Sequence, residues 1–222
     1  DGETVAIGGG TRYADLALSD VIRQSVPLIA RAARRVGDAQ VRYRGTLGGA
    51  LAHADPAGDL PTAILALDGT IVISGPHGTR TVAAADFFID YYTTALAADE
   101  ILTEIRVPAF APKTGYAYEK LKRKTGDFAT AAAAVVMRMD GGKVSHIRIA
   151  LTNVAPAAVH ATDAEAALHG QPLTDAAIED AVAKAEAACD PAEDLRGDAA
   201  YKTAMAGQML RRALRKAAAR CQ

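Results

Sequence analysis

The chain of 222 residues suits one large domain or two smaller ones, and half of its residues are hydrophobic, which is enough for a sizeable core. Its 25 basic and 26 acidic residues leave a formal net charge of −1, so no global field attracts nucleic acid or an anionic membrane. Aromatic residues make up only 5% and tryptophan is absent, which argues against a stacking platform for single-stranded nucleic acid.

The cysteine content and the hydropathy pattern narrow the class further. Cys189 and Cys221 are the two cysteines, too few for this chain alone to ligate an iron–sulfur cluster or to form a disulfide framework. The sequence has no run of about 18 apolar residues and no basic-then-apolar start. We therefore expect a cytoplasmic protein without a transmembrane segment, with peripheral placement at the inner face of the cytoplasmic membrane as an alternative.

The first half of the chain mixes strand and helix signals. Hydrophobic periodicity predicts a strand over residues 4–7, a glycine turn at 8–10, a helical turn at 16–21 and a helix from Pro27 to 36. Residues 45–61 are expected to form a loop, and Pro61 to open a short helix over 62–67. A hairpin of 71–74 and 80–82 around 76–78 follows, and then a strand over 101–107 that Pro108 closes.

The second half begins after the predicted linker, residues 108–112. Three strands are expected, at residues 116–121, 131–139 and 143–151, with Gly141-Gly142 as the hairpin turn between the last two. Thr174 should cap a helix whose Ile178, Val182, Ala185 and Cys189 share one face. A final helix should place Tyr201, Met205, Met209 and Leu214 in the core. The fold class is therefore α+β, with units at residues 1–109 and 113–222.

The usual catalytic signatures do not occur in this sequence. No two of the five histidines have the i, i+4 spacing of a helical metal site. There is no nucleophile elbow around a serine, no Walker-type phosphate loop and no GxGxxG opening a helix after a strand. We assign no catalytic residue and no metal ligand.

The segment 45–61 has an unusual composition for a plain loop. Gly48 and Gly49 carry no side chains, so their backbone N–H groups can approach an anion closely. Thr46 adds a hydroxyl beside them, and Asp59 supplies an acceptor just before the expected helix. This combination suits a diphosphate with a ribose or a polar ring nearby; the alternative is a tight turn that needs two glycines.

The same segment resembles the second flavin-binding segment of the xanthine dehydrogenase and aerobic carbon monoxide dehydrogenase family. In that family a Thr/Ser-Ile/Leu-Gly-Gly-Asn loop contacts the FAD diphosphate, and an aspartate shortly after it contributes to FAD binding. The resemblance implies that the loop corresponds to Thr46, Leu47, Gly48 and Gly49. It gives Asp59 the role of the acidic residue, and Ala50 stands where the family usually has asparagine, which removes one hydrogen bond of about 1 kcal/mol.

Further stretches extend the resemblance over nearly the whole chain. They are residues 5–8 with 14–16, 99–105 with 107–108, 116–124 with 126–132, 151–155 and 205–213; the run 116–132 is most similar to the carbon monoxide dehydrogenase branch. The resemblance implies that Leu102, Lys120 and Phe128 lie near the flavin, where the Lys120 cation would favour the reduced, anionic form. The alternative for Lys120 and Phe128 is surface charge and core packing.

The resemblance also implies an architecture. It is the second subdomain of a PCMH-type flavin-binding domain, followed by a three-stranded antiparallel sheet plus helices. Family members carry a further segment in front, with an Ala-Gly-Gly-X-Ser/Asp-Leu loop on the other side of the diphosphate, and we expect this first flavin subdomain to be missing here.

The function implied is that of a FAD-carrying electron-transfer subunit of a molybdenum hydroxylase, most simply an aerobic carbon monoxide dehydrogenase. The molybdenum cofactor would lie on a large subunit and the iron–sulfur clusters on a small subunit, in a dimer of heterotrimers that reduces a quinone or another acceptor. Two alternatives remain: the flavin subunit of a xanthine or other aromatic hydroxylase, and a flavin-free assembly module of such a complex.

Overall fold

The computed structural model describes residues 3–221, which form two α+β units. The first unit contains, in chain order, β1 (Thr4–Gly8), α1 (Tyr13–Leu18), α2 (Asp20–Ser25), α3 (Pro27–Ala33), α4 (Ala39–Arg44), α5 (Leu47–His53), α6 (Asp59–Leu65), β2 (Thr70–Gly75), β3 (Gly78–Ala83), α7 (Ala84–Phe87), β4 (Phe88–Asp90), β5 (Thr93–Thr94) and β6 (Ile101–Pro108). The second contains β7 (Gly115–Leu121), β8 (Ala131–Asp140), β9 (Lys143–Thr152), β10 (Val159–His160), α8 (Thr162–Leu168), α9 (Asp175–Ala187) and α10 (Ala199–Ala218).

Each unit is built on an antiparallel sheet. The order is β1-β6-β2-β3 in the first sheet and β10-β9-β8-β7 in the second. The predicted hairpins are present in both, and Gly141 and Gly142 join β8 to β9 with positive φ at both positions, as a tight primed turn requires. The three long strands of the second sheet agree with the prediction, and the two-residue β10 adds a short edge strand that periodicity did not reveal.

The second sheet lies between the first unit and its own helices. Along β8, Ala132, Ala134 and Val136 face the core shared with the first unit. The alternate residues of the same strand, Ala133 and Val135 among them, face α9 and α10. Because β8 is covered on both faces, it is a continuous apolar run rather than an alternating one.

The expected loop over 45–61 is wrong, because most of this segment is helical. Thr46 caps α5, and α6 begins at Asp59 with Pro61 inside its first turn. A proline is tolerated there because the first N–H groups of a helix have no intrahelical partner. Every residue of α6 is buried, so tertiary packing stabilises this helix despite Pro61 in its first turn.

Other differences have local causes. The helical turn expected at 16–21 is interrupted by Ser19, whose side chain caps α2. The helices α4 and α7 were not expected, and they have at most six residues each, too few for a clear apolar period. Thr174 caps α9 as predicted. Tyr201 was expected in the core but is 46% exposed, whereas its neighbour Lys202 is buried.

Candidate flavin site

The backbone N–H groups in the first turn of α5 form hydrogen bonds within the protein. The Gly49 N–H donates to Thr46 Oγ1 at 3.1 Å, the Gly48 N–H to the Gly9 carbonyl at 2.8 Å and the Leu47 N–H to the Thr11 carbonyl at 2.8 Å. The expectation that the Gly48 and Gly49 amides are free for an anion is therefore wrong. The N-cap and the neighbouring glycine loop satisfy donors that a helix start would otherwise leave open.

Gly48 serves close packing of the backbone. A Cβ at this position would lie 2.8 Å from the Gly9 carbonyl oxygen and 2.9 Å from the Gly9 Cα. Gly9 in turn leaves no room towards β6, since its own Cβ would lie 2.7 Å from the Leu102 carbonyl oxygen. The glycine turn at residues 8–10 thus packs between the start of α5 and Leu102, which is 8% exposed. The sequence predicted Gly9 only as part of a turn and did not indicate this close packing against α5 and β6.

The surface left open at this turn is formed by Thr46, Gly49 and Ala50. Gly49 is exposed, and a Cβ there would meet only Thr46 Oγ1. Thr46 keeps its hydroxyl proton for an outside acceptor because its oxygen accepts from Gly49. Ala50 offers a methyl group, and the fully buried Leu47 side chain points into the core. A bare backbone beside one hydroxyl fits a diphosphate that lies across this turn.

Asp59 and Lys120 form a buried ion pair across the boundary between the two units. Lys120 Nζ lies 2.7 Å from Asp59 Oδ2, and the two side chains are 1% and 4% exposed. Tyr118 donates its hydroxyl to Asp59 Oδ1 at 2.6 Å. Burial, followed by the negative charge of Asp59, raises the pKa of Tyr118 well above its ordinary value, so the phenol stays a donor.

This pair changes what Lys120 can do. The resemblance implied a cation that favours reduced flavin, but the Asp59 carboxylate neutralises the charge at 2.7 Å. The alternative of surface charge is wrong, because Lys120 is buried. Tyr118 was missed although the sequence contained a signal: residues two apart on a strand share one face, so Tyr118 and Lys120 point the same way.

Phe128 lies on the connection between β7 and β8 and is 46% exposed, so core packing is not its role. It lines a small cavity of about 90 Å³ together with Asp59 and Lys120, which brings three of the predicted residues to one place. The Arg196 guanidinium lies over its ring, 5.7 Å from the centroid. The ring also borders a cavity of about 230 Å³ that Tyr91 and Tyr92 line.

Tyr13 connects the two groups of residues. Its ring packs against Gly45, the residue before Thr46, where any Cβ would overlap it. Burial, with a further contribution from the negative charge of Asp59, raises the pKa of Tyr13. The predicted residues thus lie in two neighbouring groups, with Leu102 and the start of α5 in one and Asp59, Lys120 and Phe128 in the other.

Comparison with known proteins identifies the family. Residues 1–110 match the family model described as the FAD binding domain in molybdopterin dehydrogenase, and residues 116–217 match the CO dehydrogenase flavoprotein C-terminal domain. The chain belongs to the carbon monoxide dehydrogenase and xanthine dehydrogenase family of FAD-binding medium subunits. The predicted family and the predicted α+β fold class are therefore confirmed.

Individual relatives match over the whole chain. The chain is 54% identical to the carbon monoxide dehydrogenase medium chain of Hydrogenophaga pseudoflava, covering 100% of this chain and 77% of the relative. It is 46% identical to the medium chain from Afipia carboxidovorans, with the same coverage. A structure of carbon monoxide dehydrogenase from Hydrogenophaga pseudoflava that lacks the Mo-pyranopterin moiety superposes with a TM-score of 0.99, at 57% identity, covering 100% of this chain and 77% of that one.

These findings make the chain an oxidoreductase subunit with a FAD-binding domain, as expected. Over residues 3–221, no helix is both long and apolar enough to cross a membrane. Over the same residues, no group of three or more His, Cys, Asp or Glu side chains is placed to hold a metal ion.

Proposed function

We propose that this chain is the FAD-carrying electron-transfer subunit of an aerobic carbon monoxide dehydrogenase. It would work with a large subunit that holds the molybdenum cofactor and a small subunit that holds iron–sulfur clusters, in a dimer of heterotrimers that reduces a quinone or another acceptor. The observation that supports this most directly is the 54% identity to a carbon monoxide dehydrogenase medium chain over the full length of the chain. When bound, FAD would supply the redox chemistry, and the protein would position it.

The residues of α5 would hold the diphosphate. Thr46 would donate its hydroxyl, and Gly49 and Ala50 would leave the backbone accessible at the exposed turn. Leu47 and Gly48 would contribute through the packing that shapes the turn, since both are buried and their N–H groups are paired within the protein. Leu102 lies next to this turn through Gly9 and would give the ligand an apolar wall.

The second group of residues would shape the other side of the site. The Asp59–Lys120 pair fixes the second unit against the first, so that the Phe128 ring faces the same cavity. The half-exposed ring would exclude water from a flat ligand on one face. We further propose that residues 1–109 and 113–222 are the two domains, with 110–112 as the connection.

The diphosphate role of α5 is tested by FAD content in the purified complex. Gly49→Asp places a carboxylate against the diphosphate and should abolish FAD binding. Gly49→Ala is the matched control, because it adds the same Cβ, 2.8 Å from Thr46 Oγ1, without the charge. FAD is released by heat and quantified against protein. FAD retained in Gly49→Asp at the wild-type level would show that the diphosphate lies elsewhere.

The two alternatives give different results in the same preparation. A complex without stoichiometric FAD would indicate a flavin-free assembly module, a reading that Ala50 favours because it lacks the polar group of the family's asparagine. A complex that contains FAD but oxidises an aromatic heterocycle and not carbon monoxide would indicate the flavin subunit of an aromatic hydroxylase. Carbon monoxide oxidation coupled to flavin reduction supports the proposed function.

A further inference from the structure

A strongly basic groove lies between α3 and the start of β7. It encloses about 290 Å³, and Arg23, Arg31, Arg34 and Arg35 line it opposite Tyr116. The chain as a whole has a net charge of −1, so this concentration of guanidinium groups is a local feature. It lies outside the cavities that Phe128 lines.

The charge of the groove is only partly balanced within the protein. Arg23 pairs with Asp20 at 3.2 Å, and Arg31 pairs with Glu119 at 3.3 Å. Glu119 is also shared with Lys216 of α10 at 2.7 Å, so a single carboxylate faces two cations. The acidic residues near the groove therefore leave a net positive charge.

Arg34 and Arg35 carry the unbalanced charge. Arg34 donates through Nε and Nη2 to the Ala17 carbonyl, at 3.2 and 3.0 Å, and this neutral acceptor leaves its charge in place. Across the described chain, residues 3–221, neither arginine has a carboxylate within ion-pair distance, and the buried Nε of Arg35 has no hydrogen-bond partner. Arg35 lines the groove without a carboxylate within ion-pair distance, so an incoming carboxylate would meet a cation that lacks an ion-pair partner.

The opposite wall adds an apolar and aromatic surface. The Tyr116 ring packs against Phe110 with centroids 5.7 Å apart, and the Arg220 guanidinium lies 4.9 Å from its centroid. Ala30 adds a methyl group to the α3 side of the groove. The groove thus combines guanidinium forks with apolar contacts, which is the composition of energetically important patches in protein interfaces.

We propose that this groove is the docking surface for an acidic segment of a partner subunit, whose carboxylates pair with Arg34 and Arg35. The inference rests on the proposed function, in which this chain assembles with other subunits. Arginine forks bind carboxylates in a bidentate manner, and an unbalanced positive patch accelerates association with an acidic partner. The groove is concave, whereas a flat bilayer is bound by protruding basic and apolar side chains, so a protein segment fits better than a lipid surface.

The test uses the full-length chain produced together with its large and small partner subunits. Arg34→Glu with Arg35→Glu reverses both unbalanced charges and should weaken assembly by roughly tenfold or more. Arg106→Glu is the matched control, since Arg106 is an exposed arginine that does not line the groove. Assembly is measured by light scattering after size exclusion at increasing salt, and the wild-type affinity should fall with salt more steeply than that of the variant.

The outcomes separate this inference from the proposed function. If wild type and the double variant assemble with the same affinity and the same salt dependence, the groove is not the docking surface. If the variant assembles normally but loses binding to phosphatidylglycerol vesicles that wild type binds, the groove is a lipid surface and the inference is wrong. FAD content and carbon monoxide oxidation of wild type are measured in the same samples, and their absence would contradict the proposed function.

A further variant distinguishes a loss of assembly from a loss of folding. Arg35→Gln removes one charge, keeps a polar side chain of similar length and should reduce assembly in proportion while its thermal melt matches wild type. An unchanged melt together with unchanged assembly in Arg35→Gln and in the Arg34→Glu, Arg35→Glu double variant would overturn the inference.

Discussion

Replacing Lys120 with methionine should strongly destabilise the protein. The change keeps most of the side-chain volume and removes the ammonium group that lies 2.7 Å from Asp59 Oδ2. Asp59 would then be a buried carboxylate whose remaining side-chain partner is the Tyr118 hydroxyl at 2.6 Å. The cost arises because the desolvation of the charge is no longer offset by its counter-ion.

The expected loss in the free energy of unfolding is about 3–5 kcal/mol, as for other buried pairs that lose one partner. For a chain of this size each kcal/mol corresponds to roughly 2–4 °C in melting temperature, so we expect a drop of about 6–20 °C. Tyr118→Phe removes one hydrogen bond to the same carboxylate and should cost less, about 1–3 kcal/mol.

The assay is urea unfolding followed by circular dichroism, with thermal melts as a second measure. A double-mutant cycle of Lys120→Met and Asp59→Asn measures the coupling directly, and the double variant should be more stable than the sum of the single losses indicates. Lys124→Met serves as the control, because Lys124 is exposed on the connection after β7. Additive single losses below about 1 kcal/mol each would refute the buried pair.

Three further changes test other contacts. Thr46→Ala removes the cap that accepts the Gly49 N–H and should cost about 1 kcal/mol in urea unfolding. Gly48→Ala places a Cβ 2.8 Å from the Gly9 carbonyl oxygen and should cost about 1–3 kcal/mol in the same assay. The hydrogen bond to Glu165 raises the pKa of His160 above its ordinary value. The His160–Glu165 pair should therefore stabilise the folded protein by less than about 1 kcal/mol below about pH 6.5. This stabilisation is lost as the pH rises through the pKa of His160 in the folded protein. Unfolding at pH 6 and pH 8 in wild type and in His160→Gln measures it.

Each of these has a matched control. Thr46→Ser keeps the capping hydroxyl and should retain most of the stability. Gly10→Ala meets no atom within 4 Å and should be nearly neutral, so an equal loss at Gly10 and Gly48 would contradict close packing as the cause. His77→Gln alters an exposed histidine, and the same pH dependence in His77→Gln and His160→Gln would show that the His160 pair contributes nothing.

The sequence alone determined the elements whose signals are local. Apolar runs bounded by turn residues located the long strands of both sheets, and two glycines in succession set the turn between β8 and β9. The start of α9 could be predicted because the Thr174 side chain caps that helix. The motif around Thr46, together with the further matching stretches, also carried the resemblance to the family.

Contacts between distant residues were decided only by the tertiary structure. Asp59 and Lys120 are separated by 61 positions and meet because α6 packs against the second unit, which no periodicity reveals. The same holds for Gly48, whose N–H is taken by the carbonyl of Gly9. The sequence indicates which backbone N–H groups have no side chain beside them. Only the fold determines whether another part of the chain already accepts a hydrogen bond from those groups.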